Sequence, residues 1–250
     1  MIENILLVGL AFALGGVLKG AIGAGAPLLA VPVLALLYDV PTAITLFAIP
    51  NLVPNVWQVW KFRADHLPPV FLWRFSIAGA VGAAVGTVIL ANVDPSFLLL
   101  IVALIVLVYI LFRLMRPDWQ LAHPLAMALV FPVGLVAGMM QASGGISAPV
   151  SITFLNAMKL TRGGFINTIS LFFTAIAVVQ IPLLIAYGYM TPRLFGLSCA
   201  ALVVVVAFMP VGGFLVSRVS RNTFDRIVLL LLAALSAKMI AQAIVAGFAG

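Results

Sequence analysis

A lysine stands inside an apolar run at the point where a helix is hardest to continue. Lys19 belongs to the stretch Leu14–Tyr38, which carries glycines at 15, 16, 20, 23 and 25 and prolines at 27 and 32. Glycine and proline are the poorest helix formers, so the spacing predicts a helix break just after Lys19. Backbone amides are left open at the tip of such a break. A fixed cation beside those amides, and beside the positive end of a helix starting at Ala26, is chemistry for holding an anion. A lysine at mid-membrane depth costs about 2.5–3.5 kcal/mol on the insertion scale, and no acid lies near it in sequence. The competing reading is a lysine that snorkels to one membrane face.

A related text returns from Val133 to Phe154, where Gly134 and Gly138 repeat the spacing of Gly16 and Gly20. It continues through Gln141, Ser143, Gly144, Gly145 and Ser147 to Pro149. Two other segments are rich in amides and hydroxyls. Asn51, Asn55 and Gln58 recur at helical spacing and share one face. Asn167, Thr168, Ser170, Thr174 and Gln180 lie in the segment after residue 162. Such groups can donate hydrogen bonds to an oxyanion, or can bridge helices for about 0.6 kcal/mol each. The candidate substrate-binding set is Lys19, Gly20, Gly23, Ala24, Gly25, Asn55, Gln58, Gln141, Ser143, Gly144, Gly145, Asn167 and Ser170.

The acids are informative by position. Glu3, Asp39, Asp65, Asp94, Asp118 and Asp225 all fall at segment ends or in loops, which leaves no carboxylate for a proton relay at the midplane. His66 and His123 lie in or beside loops, so neither a metal nor a cofactor is expected. No zinc-protease helix or nucleophile elbow occurs, which argues against an enzyme. Trp57, Trp60, Trp73 and Trp119 fall near segment ends, where an interfacial belt explains them.

The elements that must position these residues follow from composition. Of 250 residues, 65% are hydrophobic and 8% charged, the balance of an all-α polytopic membrane protein. Continuous apolar runs exclude a barrel. The net charge of +7 is spread thinly over loops; it marks membrane topology, not nucleic-acid binding. Cys199 is the only cysteine, so no intrachain disulfide exists. No cleavable signal is evident, because Glu3 stands where a basic start is required. Ten apolar segments can be drawn, at about 5–18, 26–38, 41–60, 69–91 and 95–112, then 124–141, 145–158, 163–186, 193–216 and 224–247.

The first two segments of each half are read as a pair. Residues 3–38 as one helix would run roughly 54 Å, far beyond a hydrocarbon core of about 30 Å. Pairing them as a broken or re-entrant hairpin puts Lys61, Arg63, Arg74, Arg113, Arg116, Lys159, Arg162, Arg218, Arg221 and Arg226 on one face. Arg193, Glu3, Asp39 and Asp94 then fall on the other. That is the asymmetry the positive-inside rule asks for: basic loops inside and both termini outside. The second half therefore begins opposite to the first. Gln58 also matches Gln180, Gly86 matches Gly213 and Phe97 matches Phe224. The expected architecture is two inverted repeats, residues 1–116 and 117–250, each a broken pair plus three helices, forming one transmembrane domain. Secondary transporters are built this way, with the site where the repeats meet. The plain alternative, glycine as a packing residue, accounts best for Gly79, Gly82 and Gly86.

Taken together, Gly16-x3-Gly20-x2-Gly23-x-Gly25 with Pro32, Val40-Pro41, Asn55-x2-Gln58, and Gly134-x3-Gly138 with Gly144-Gly145 and Pro149 resemble the TauE/SafE sulfite-exporter family of bacterial membrane proteins. The likeness covers nearly the whole chain. It implies a multi-pass protein of the bacterial cytoplasmic (inner) membrane, with periplasmic termini, that exports small sulfur-containing or organic anions such as sulfite or sulfonates. The expected partners are that anion and the lipid bilayer. An anion channel with the same cradle and a non-transporting membrane scaffold are the alternatives.

Overall fold

The computed structural model describes residues 2–115, 120–216, 218 and 229–241. They form ten α-helices and no strand among the described residues. In chain order these are α1 (Ile2–Ile22), α2 (Ala26–Leu37), α3 (Val40–Lys61), α4 (Pro69–Asn92), α5 (Pro95–Met115), α6 (His123–Gly144), α7 (Ser151–Ala157), α8 (Arg162–Ala186), α9 (Pro192–Val216) and α10 (Leu229–Ala241). Helices α4, α5, α6, α8 and α9 are each long and apolar enough to cross a membrane. Helix α3 is as long, but amides and prolines dilute it. Arg116, Asp118, Trp119, Arg221, Phe224, Asp225 and Arg226 lie outside the described residues.

The molecule is built for an apolar solvent. On α3, Asn51, Asn55 and Gln58 are buried while Val53, Val56, Trp57 and Trp60 on the same helix are exposed. Amides turn inward and apolar surface turns out, as lipid requires. The exposed large apolar residues of α9, among them Val203, Phe208 and Phe214, continue that outer surface.

Two glycine-lined contacts hold the bundle. Helix α1 packs along α9, and α4 packs along α6. Gly16 lies against the Val205 carbonyl, Gly20 against Met209, and Gly212 against Val17. In the other contact Gly82 meets Leu135, Gly86 meets Met139, and Gly138 meets Gly79, all backbone to backbone. Without a side chain in the way, helices approach closely enough for dispersion and weak polar contacts to hold them where lipid gives no hydrophobic drive. Increasing residue numbers face increasing ones in both contacts, so each pair runs parallel. Gly79, Gly82 and Gly86 are thus packing residues, as expected. Helix α1 nevertheless continues four residues beyond the expected end near 18, because Gly16 and Gly20 are packing residues too and stay helical.

Both predicted pairs fold back. The position of a Cβ on Gly15 lies 3.5 Å from the Ala30 Cβ, so α2 returns along α1. Helix α2 spans only about 18 Å and is buried on nearly every side. In the second pair the sequence suggested one segment over 145–158. The structure has turns over 145–150 and a short α7, and the Leu121 N–H bonds the Ala157 carbonyl at 2.9 Å to close the hairpin at its base. Helices α3 and α8 run antiparallel between the hairpins, with Val59 beside Asn167 and Gln58 beside Ser170. Helix α3 also packs on α9, and α8 on α4.

Breaks in the backbone pattern are satisfied locally. Pro50 cannot donate to the Leu46 carbonyl; Ser198 of α9 donates to it instead at 2.9 Å, and accepts from the Ile49 N–H at 3.2 Å. Asp39 caps α3 by accepting from the Thr42 N–H at 2.6 Å. This accounts for one of the acids at a helix end.

Candidate site at two facing helix breaks

The first break is Gly23–Gly25. Gly23 (φ 75°) and Gly25 (φ 95°) adopt the left-handed conformation that favours glycine. The Gly23 N–H is used by the Lys19 carbonyl at 2.9 Å. Gly25 supplies no side chain to cap α2, and Pro27 brings no N–H. The amides of Ala24, Gly25 and Ala26 therefore meet no acceptor among the described residues. They sit at the positive end of α2.

Lys19 occupies the last turn of α1, is 3% exposed, and does not snorkel. Its ammonium donates to Asn55 Oδ1 of α3 in a short bond. Asn55 is oriented in turn by donating to the Asn51 carbonyl at 2.5 Å and to Asn51 Oδ1 at 3.1 Å. The ring of Phe173 lies under the ammonium, 6.0 Å from it to the centroid. No described carboxylate bonds to Lys19; Asp39 and Asp94 cap helix ends and Asp65 lies in a loop helix. An ammonium has three donors, and Asn55 takes one. A buried cation held by a neutral amide is costly unless a negative group joins it.

The second break is closed upon itself. Gly145 (φ 72°) ends α6. Gln141 donates to the Gly145 carbonyl at 3.0 Å and accepts from Ser147 Oγ at 2.9 Å, and Ser147 and Ser151 share a bond of 3.0 Å. Gln180 of α8 donates to the Ala142 carbonyl at 3.0 Å, satisfying an end of α6. Ser143 bonds the Met139 carbonyl one turn back.

The tips of the two breaks face each other. A narrow crevice is lined by Gly25, Pro27 and Leu28 from the first and by Ile146, Ser147, Ala148 and Ile152 from the second, with Phe173 across them. It admits roughly one water-sized sphere, so it is too narrow to hold an anion as it stands. Gly145 abuts Val31 of α2 and Gly23 abuts Ile166 of α8, which locks the tips together.

The candidate residues fall into three groups. Lys19, Gly23, Ala24, Gly25 and Asn55 converge at the first break. Gln58 and Asn167 reach across to α8 and α3, with Ser170 Oγ donating to Gln58 Oε1 at 2.9 Å and Asn167 Nδ2 to the Val59 carbonyl at 3.2 Å. Gln141, Ser143, Gly144 and Gly145 belong to the second break, where Gly144 faces Val102 of α5. Gly20 stands apart from all three, against α9. Lys238 is exposed on α10. One contributor escaped the sequence reading: Phe173 is one aromatic among many in an apolar helix and carried no signal, whereas Asn51 was read on the Asn55 face but left out of the binding set.

An all-helical bundle with five membrane-length helices and polar residues turned inward defines a polytopic membrane protein. The family described as sulfite exporter TauE/SafE matches residues 7–239, and the chain belongs to that transporter family. No match was found among curated proteins or among solved structures.

Proposed function

We propose that this chain is a secondary transporter that exports a small sulfur-containing or organic anion, with sulfite the first candidate, across the bacterial cytoplasmic membrane. The observation that carries the reading is the buried Lys19 ammonium, hydrogen-bonded among the described residues to a neutral amide alone, at a helix break with unclaimed amides. The anion takes the remaining ammonium donors and the Ala24–Ala26 amides, while Asn55 holds the lysine in place. The closed crevice is one state of an alternating cycle. Exchanging α1, α3 and α4 for α6, α8 and α9 turns the α1–α9 contact into α6–α4 and returns the antiparallel α3–α8 pair to itself. That correspondence supports two inverted repeats. The membership of the family supports the sulfur-anion class.

Reconstitution in liposomes tests it. Saturable uptake of radiolabelled sulfite with counterflow is the expected result. Linear, non-saturating flux without counterflow indicates a channel, and no flux above empty liposomes indicates a scaffold.

Topology is a separate prediction. In a Cys199→Ser background, cysteines placed beside Asp94 and Arg193 should react with an impermeant thiol reagent added outside intact cells. Cysteines beside Arg63 and Lys159 should react only after permeabilisation. The motive is that α3 runs from Asp39 to Lys61 antiparallel to α8, which gathers basic residues at one end. Labelling of Arg63 and Asp94 positions from the same side would exclude the arrangement.

A further inference from the structure

We propose that Phe173 is the size-selecting gate between the crevice and Lys19, so that the transported anion is a compact oxyanion; this rests on the binding role of Lys19 proposed above. Lys19 does not line the crevice between the break tips. Phe173 does both: its ring forms the wall across Gly25 and Ser147 and lies under the Lys19 ammonium. An anion entering between the tips therefore meets the face of that ring before it meets the charge.

Both rings are buried, but only Phe173 borders the crevice. Phe172 is stacked on Phe75 at 4.4 Å between centroids and is wedged against Gly79, where even a methyl group has no room. Phe173 touches Phe172 at 5.6 Å on one side and borders the crevice on the other. A side chain that borders a gap shifts at lower cost than one packed on all faces. The crevice admits about one water-sized sphere, less than any anion with three oxygens on one centre, so a shift of Phe173 must accompany entry. Asn55, which accepts from the ammonium, is held in place by its own hydrogen bonds to Asn51. Size is thus set by the Phe173 ring and charge by the Lys19 ammonium beyond it.

Calorimetry on the purified chain with sulfite, methanesulfonate and benzenesulfonate tests this, because the two sulfonates share one headgroup and differ in bulk. The parent should favour methanesulfonate over benzenesulfonate by about tenfold or more. Phe173→Ala should bring that ratio to about one or reverse it, and Phe173→Leu, which keeps more of the packing should the alanine variant fail to fold, should shift it in the same direction. Phe173→Tyr should keep the parent order. A ratio unchanged in folded Phe173→Ala or Phe173→Leu, with sulfite still bound, overturns the gate and leaves the binding reading intact. Failure of the parent to bind any of the three anions overturns both.

Discussion

Lys19→Ala should weaken anion binding about ten- to a hundredfold, through loss of a charge-assisted contact worth roughly 1.5–3 kcal/mol. The melting temperature should stay level or rise. Those opposite signs have one cause. In the parent a cation is buried against Asn55 and the Phe173 ring with no carboxylate among the described residues, an arrangement that destabilises the free fold and that, in the proposed role, a bound anion relieves. Removing the ammonium removes both the penalty and the attraction. Lys19→Arg should recover part of the affinity, since the planar guanidinium keeps the charge but needs a different pocket. Asn55→Leu should weaken binding less than Lys19→Ala, because the charge remains and only its orientation is lost. Calorimetry with sulfite and thermal melts on the same preparations decide it. Unchanged affinity in a folded Lys19→Ala protein would remove the lysine from the site and leave the open amides alone.

Gly138→Leu should give no folded protein, and Gly138→Ala should lower the melting temperature. A Cβ at Gly138 would overlap the carbonyl and Cα of Gly79, which are backbone and cannot swing aside. Overpacking of a well-filled contact costs about 1–3 kcal/mol even where side chains can yield, and here they cannot. Gly20→Ala, against Met209, should behave in the same way. The control is Gly213→Ala on α9, where nothing lies within 4 Å of the new methyl group. That change should stabilise by up to about 1 kcal/mol, since alanine is the better helix former. Size-exclusion profiles and melts of the four variants report the contrast. Equal tolerance of Gly138→Ala and Gly213→Ala would mean that the α4–α6 contact is looser than described.

The glycines also show where sequence reading stops. Gly16, Gly20, Gly23 and Gly25 are equivalent in composition and closely spaced, and together they announced a break. Only Gly23 and Gly25 make it, with positive φ, whereas Gly16 and Gly20 remain helical against α9. The energy that keeps a glycine helical comes from the helix alongside, and no local pattern encodes that neighbour. The turns over 145–150 were hidden for a related reason. Apolar residues there imitate a continuing helix, while Gln141, Ser147 and Ser151 hold the chain in another path.

By itself the sequence determined that this chain is an all-helical membrane protein, where most of its helices lie to within a few residues, and that its amides gather on α3 and α8. Apolar length, charge spacing and helical periodicity are properties of short windows, and lipid enforces them on each window separately. Only the tertiary structure decided what Lys19 does. Whether it snorkelled or turned inward depended on Asn55, 36 residues away, and on Phe173 from the other half of the chain. A buried charge takes its partners from whichever helices come alongside, and those neighbours are chosen by the packing of the whole bundle.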